Sequence, residues 1–403
     1  MYKPSKYFFV LLFIAAYANA LGQSSAQQSK GDVWLKAKNI LAEIKAPVFP
    51  TKNFLITNYG AIGDGIVNCS QAIKNAIQAC SKAGGGHVII PAGNFYTGPI
   101  YLKSNVDLHL NKGGKLSFST QPNDYLPLVK TRWEGVELMN YSPLIYAYRE
   151  QNIAITGEGT LDGRASNNNW WPWKGKSEYG WKQGAPNQTD KGNRPVLFDM
   201  AEKNVPVKDR QFGDGHYLRP QFIQPYLCNN VLIKGVQVIN SPMWILHPVL
   251  CTNVTIDSVN VESNGPNTDG CDPESCKNVV IKNCYFNTGD DCIALKSGRN
   301  RDGRRLNVPC ENVVIQNCTM ANGHGGIVIG SEISGGVKSI VMEGYSKSPI
   351  QNVKLSNIKI EDVKTPYKLS NVTNIFLDHV SINGENLDQG KLVIDHVEQK
   401  LHW

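Results

Sequence analysis

The sequence predicts an all-β solenoid, a right-handed single-stranded parallel β-helix with an N-terminal capping helix. Three observations predict it. A four-residue pattern of Asn, apolar, any, apolar occurs eight times; neighbouring copies recur at near-constant intervals; and one stretch of helical periodicity precedes most of them. Alternation over four residues marks a strand with one buried face. One short strand per interval then calls for stacked coils.

Taken in order, Met1 to Ala20 reads as a secretory signal. Lys3 and Lys6 begin it, Tyr7 to Ala16 is apolar, and Ala18-Asn19-Ala20 offers small residues for cleavage. The apolar run is too short to span a bilayer. The reading is therefore an exported protein, secreted or periplasmic, expected to be a monomer without a membrane span. Residues 21–50 read as a polar lead-in and 51–403 as the β-helix. Ser70 to Cys80 has apolar residues at helical spacing, Ser70 as N-cap, and Gly84 to Gly86 as a stop.

The repeats begin at Asn105, Asn152, Asn230, Asn253, Asn278, Asn312, Asn352 and Asn374. The steps 230 to 253, 253 to 278 and 352 to 374 are 23, 25 and 22 residues. Rungs about 4.8 Å apart would stack apolar side chains inside and let corner Asn amides bond along the stack. A β-propeller needs about twice this period. The stretch Asn167 to Arg219 breaks the pattern and reads as a long excursion bordering the groove. Its Trp170, Trp171 and Trp173 suit either sugar stacking or a packed cluster.

Composition narrows the function. With 403 residues, 41% hydrophobic and 19% charged, the chain excludes a disordered polyelectrolyte and a small disulfide scaffold. Lys+Arg 41 minus Asp+Glu 34 leaves +7, which suits an acidic polysaccharide and is too dispersed for nucleic acid. Ten cysteines could pair oxidatively, and Cys271/Cys276 or Cys284/Cys292 could hold zinc. Cys284 and Cys318, however, each follow a repeat Asn by six places, which favours buried structural thiols.

Two acidic clusters fall on neighbouring coils: Asn267-Thr268-Asp269-Gly270 and Gly289-Asp290-Asp291. Asp290 lies 21 residues after Asp269 (290 − 269), close to one turn, so these carboxylates should stack on one face. Gly323-His324-Gly325-Gly326 follows. An isolated Gly-Asp-Asp is more often a turn. Clusters in register, followed by a His, meet the needs of glycoside hydrolysis: an acid for the leaving oxygen and a base for water. Crowding should leave one carboxyl protonated near neutral pH. Clustered carboxylates would also suit calcium.

These segments, in this order, resemble the polygalacturonases of glycoside hydrolase family 28. Asn58-Tyr59-Gly60-Ala61, Gly157 to Gly163 and Ser241-Pro242-Met243-Trp244 extend the resemblance over residues 53 to 337. Leu218-Arg219-Pro220 and Lys296-Ser297-Gly298-Arg299-Asn300 look like the exo-acting plant and bacterial branch. The resemblance implies a pectin-lyase-like solenoid that hydrolyses α-1,4-galacturonosidic linkages with inversion. Asp290 would be the general acid, Asp269 with Asp291 would activate water, and His324 would keep Asp290 protonated. Asn267 and Lys296 would contact substrate, Lys296 as a point charge on a uronate carboxylate. The implied partner is a pectic polysaccharide or oligogalacturonide; no cofactor and no metal are implied.

One departure stands out. The family carries Arg-Ile-Lys after Gly-His-Gly to grip the substrate carboxylate, whereas Arg305 is this chain's last arginine. The rung-like segments at Gly336 and Ile350 are only 14 residues apart (350 − 336), which suggests missing turns around residues 339–348. Lys338 or Lys347 could stand in. Two alternatives follow: a weakened or inactive pectin-binding β-helix, and a calcium-dependent pectate lyase.

Overall fold

A computed structural model of the protein describes residues 35, 37–343, 350–360, 372–382 and 384–386. The signal segment 1–20, residues 344–349 and Lys347 lie outside the described residues. Residues 37–43, within the stretch read as a lead-in, are helical, and Ala37 and Ile40 are buried. No described helix is long and apolar enough to cross a membrane.

From Asn53 to Ile382 the described residues wind as a right-handed parallel β-helix with three faces. The first face is a nine-stranded parallel sheet running from Asn53–Leu55 to Val337–Glu343. The second is an eight-stranded sheet from Asp64–Asn68 to Thr319–Asn322. The third runs through Ile145–Tyr148, Ile223–Tyr226, Ile293–Leu295 and Ile327–Ile329, joined by the bridges Ile223↔Leu246, Leu246↔Cys271 and Cys271↔Ile293. Apolar side chains of all three faces meet inside, as with Val231, Val254, Val279 and Val313 in register on the first face.

The corner Asn residues form the expected amide ladder. Asn152, Asn230, Asn253, Asn278 and Asn312 each donate from Nδ2 to the Oδ1 of the preceding Asn, at 2.9 to 3.3 Å. Each has φ between 52° and 58°, the left-handed region that Asn tolerates better than most residues. Two residues before the last four of these Asn, Cys228, Cys251, Cys276 and Cys310 stack on successive coils, all as free thiols. Cys284 and Cys318 occupy equivalent places on neighbouring coils. The cysteines therefore serve the core, as small apolar side chains do.

Three details differ from the sequence reading. The helix spans Ser70–Lys82, but Ser70 does not cap it. Its Oγ instead accepts the Gly98 N–H at 2.7 Å, tying the helix to the first coils. Secondly, a hairpin of Val129–Trp133 and Val136–Asn140 lies beside the solenoid, and buried Arg132 pairs with buried Glu274 at 3.1 Å to fasten it there.

The third difference concerns the far end. The strand Ile350–Ile360 does not resume the first face. It pairs with the third face, Val328↔Lys354 and Ile329↔Leu355, and Val372–Ile382 stacks on it in turn. Gly336 thus precedes a first-face strand while Ile350 begins a third-face one, and their 14-residue spacing is a step between faces rather than a shortened turn. The previous coil takes 18 residues from Cys310 to Val328 (328 − 310), and this one takes 17 from Val337 to Lys354 (354 − 337). Spacing therefore supplies no independent sign of lost turns. The lack of an arginine after Arg305 remains.

Candidate active site

The acids occupy one column of corners, where the second face turns into the third. Asp269 follows Asn260–Ser263, Asp290 and Asp291 follow Tyr285–Thr288, and His324 follows Thr319–Asn322. One carboxylate oxygen from each of Asp269, Asp290 and Asp291 lies within 4.8 Å of the others. The stacking differs by one residue from expectation. Gly270 N–H donates to Asp291 O and Cys271 pairs with Ile293, so Asp291 rather than Asp290 stands over Asp269. Asp290 is capped by His324, whose Nδ1 lies 3.1 Å from Asp290 Oδ1.

Close stacking explains the glycines. A Cβ on Gly289 would lie 2.2 Å from Gly265 O, and one on Gly325 would come within 3.1 Å of Asp291 Oδ1. Thr268 fixes the lower corner: its Oγ1 donates to Ser263 O at 2.6 Å and accepts Gly289 N–H at 3.1 Å.

Electrostatics follow from burial. Burial raises the Asp291 carboxyl to about 6, with repulsion from Asp290 adding to it. Burial also pushes Asp269 well above the usual carboxylate range. Three residues further along the same coil, Asp272 is wholly buried and raised for the same reason. The carboxyls lifted here are Asp269, Asp272 and Asp291. Carboxyls this close titrate as a set, so the protons belong to the cluster rather than to one side chain.

Lys296 is placed differently from the sequence reading. It is 4% exposed and lies 3.0 Å from Glu332, 3.8 Å from Asp269 and 4.0 Å from Asp272. Its ammonium also sits 4.7 Å above the Trp244 ring. The expectation of a substrate contact is corrected: this cation is committed beneath the acids, because three buried carboxylates need a counter-charge. Burial would raise Glu332, but Lys296 and Arg299 overcome it and hold the group at about 2.

Asn267 is half-buried, with its Nδ2 3.4 Å from Asp290 Oδ2. It joins the site to groups that sequence reasoning missed. Lys174 and Arg219 both donate to Asn267 Oδ1, at 2.7 and 2.9 Å. Both come from the excursion, which leaves the same corner column between Thr160–Asp162 and Ile223–Tyr226. No periodicity marks them. The tryptophans there form a packed cluster: Trp170 is buried edge-on against Trp173 at 4.9 Å, and Trp171 Nε1 donates to Ser241 O at 2.9 Å. Lys338 belongs to the first face, in register with Glu311, away from these corners.

Among the described residues, the His, Cys, Asp and Glu side chains close enough to share a cation are Asp269, Asp290 and Asp291, and no cysteine belongs to the group. Three acids and a His on adjoining coils can supply an acid, a base and a hydrogen-bonded partner for either.

The sequence profile of glycosyl hydrolases family 28 matches residues 208–343. The crystal structure of a hyperthermoactive exopolygalacturonase from Thermotoga maritima is 44% identical, with a TM-score of 0.80, over 88% of this chain and 81% of that one. A probable polygalacturonase from Vitis vinifera is 28% identical over 302 residues, 72% of this chain and 53% of its own. The exo-poly-alpha-D-galacturonosidase of Dickeya chrysanthemi is 27% identical over 314 residues, covering 72% and 49%. The chain thus spans about half the length of the curated relatives it matches. The chain belongs to glycosyl hydrolase family 28.

Proposed function

We propose that the protein hydrolyses α-1,4-galacturonosidic linkages of polygalacturonate with inversion, acting from chain ends, as an exported enzyme. The supporting observation is the column Asp269, Asp290, Asp291 and His324 in a family 28 chain. Asp290, hydrogen-bonded to His324 on the open side, protonates the leaving oxygen. Asp269 and Asp291, stacked one over the other, hold and deprotonate the water. Lys296 beneath them balances the negative charge.

Oxygens within 4.8 Å are closer than the roughly 6.5–9.5 Å usual between acid and base in inverting glycosidases. On this reading the water sits over the stacked pair, beside Asp290 rather than between two opposed carboxylates.

The test is incubation with oligogalacturonides, recording product length and the anomer first released. Single galacturonate units of inverted configuration, lost in D290N, are expected. Retained configuration would overturn the mechanism. Unsaturated products abolished by a chelator would favour a calcium-dependent lyase, and binding without turnover a pectin-binding β-helix.

A further inference from the structure

The excursion brings two cations to one neutral oxygen. Arg219 is fully buried, and its four acceptors are all uncharged: Pro242 O at 2.8 Å, Pro266 O at 2.6 Å, Gln188 Oε1 at 3.0 Å and Asn267 Oδ1 at 2.9 Å. Its Nε has no partner among the described residues. Lys174 donates to the same Asn267 Oδ1 at 2.7 Å. Among the described residues, neither cation has a carboxylate within 4.0 Å. Burial lowers Arg219 to about 10, and burial with Arg219's like charge lowers Lys174 as well.

Buried cations without an anion are costly, and sharing one amide oxygen does not relieve their repulsion. An anion entering between Lys174 and the Asp290 corner would. We infer that Lys174, with Arg219 behind it and Asn267 bridging the two, forms the pocket for the carboxylate of the uronic sugar held at the Asp290 corner. The inference rests on the galacturonide reading above.

Other cations nearby are already committed: Arg194 to Glu134 at 2.9 Å, Arg299 to Glu332, and Lys296 to the acids. Lys174 is half-buried, so its ammonium can meet a ligand, while Arg219 acts through its field and its grip on Asn267. The short helix Trp171–Lys174 is held by the Trp171 bond to Ser241 O and by the Trp170–Trp173 contact, which places the ammonium before substrate arrives. A site of this kind needs no arginine after Gly-His-Gly.

The test compares the parent enzyme, K174M and K174R on oligogalacturonides and on the same oligomers methyl-esterified. K174M should raise KM for the acid substrate about tenfold to a hundredfold, with a smaller change in kcat, and K174R should restore most of the loss. Preference for acid over ester should fall by the same factor. An unchanged KM, or equal losses on both substrates, overturns the pocket and leaves the hydrolase reading standing. If the parent hydrolyses neither, that reading fails and titration with trigalacturonate decides instead. Salt-sensitive binding weakened at least tenfold in K174M supports the pocket; equal binding, or none by the parent, overturns it.

Discussion

The coils from Asn229 to Gln316 and the excursion between Asp162 and Ile223 contribute to the same corner by opposite routes. In the coils a residue's place follows from register. Each strand lies on its predecessor, so Asp269, Asp291 and Gly325 fall into one column and Asp290 and His324 into the next. The excursion follows no coil register, and position there follows largely from local packing: tryptophans edge to edge, an indole on Ser241 O, a buried guanidinium on four neutral oxygens. The coils supply carboxylates and one counter-cation, while the excursion supplies the cations without acid partners. Repetition builds the proposed chemistry, and the irregular segment sets its charge selectivity.

This division can be broken most sharply at Asp290. D290N should lower galacturonide hydrolysis by about 10²–10⁴-fold while the thermal transition stays in place. Near-parental turnover would move the chemistry away from the coil column. Next in size is Lys296. K296M leaves Asp269, Asp272 and Glu332 without their shared cation and should cost about 3–5 kcal/mol, read as a lower Tm. An unchanged Tm would mean that the cluster is not held together by this charge.

Asp291 makes a smaller, pH-dependent contribution. Its folded-state pKa, about 6 against an ordinary 3.8, is raised, so the folded state binds the proton more tightly than the unfolded chain does. That stability is present below 3.8 and is lost as pH rises through 6. D291N should therefore gain stability relative to its parent between pH 4 and pH 7 (about the window of that shift), measured by urea midpoints at both ends. A constant difference would show that burial does not strain this carboxylate. Smallest is the ladder. N253A loses bonds to Asn230 and Asn278 and sits at φ 56°, for a cost of about 1–2 kcal/mol; N253G, free of the backbone strain, should lose less.

Much of this was legible in the primary sequence. The Asn-apolar period named the solenoid because one side chain per coil must both turn the chain and bond to its neighbours. The acids were legible because their separation matched the same period. The single-residue shift that sets Asp291 over Asp269 was not, since coil length varies with the corner. Lys296 read as ligand-binding because a strand pattern says which face a side chain takes but not what lies under the next corner. Ile350–Ile360 carries the same Asn-apolar signature, yet it joined the third face. The signature marks strands, and only pairing assigns a strand to a sheet.

Local sequence, then, determined the coil, its interior and the residue types at the reacting corner, since strand alternation and corner geometry are properties of a few neighbouring residues. Tertiary structure alone decided which carboxylates lost water and which cation balances them. It also decided that Lys174 and Arg219, 45 residues apart (219 − 174), share one amide oxygen. Those outcomes depend on desolvation and on charges brought together by the fold, and neither quantity exists before the chain has closed around them.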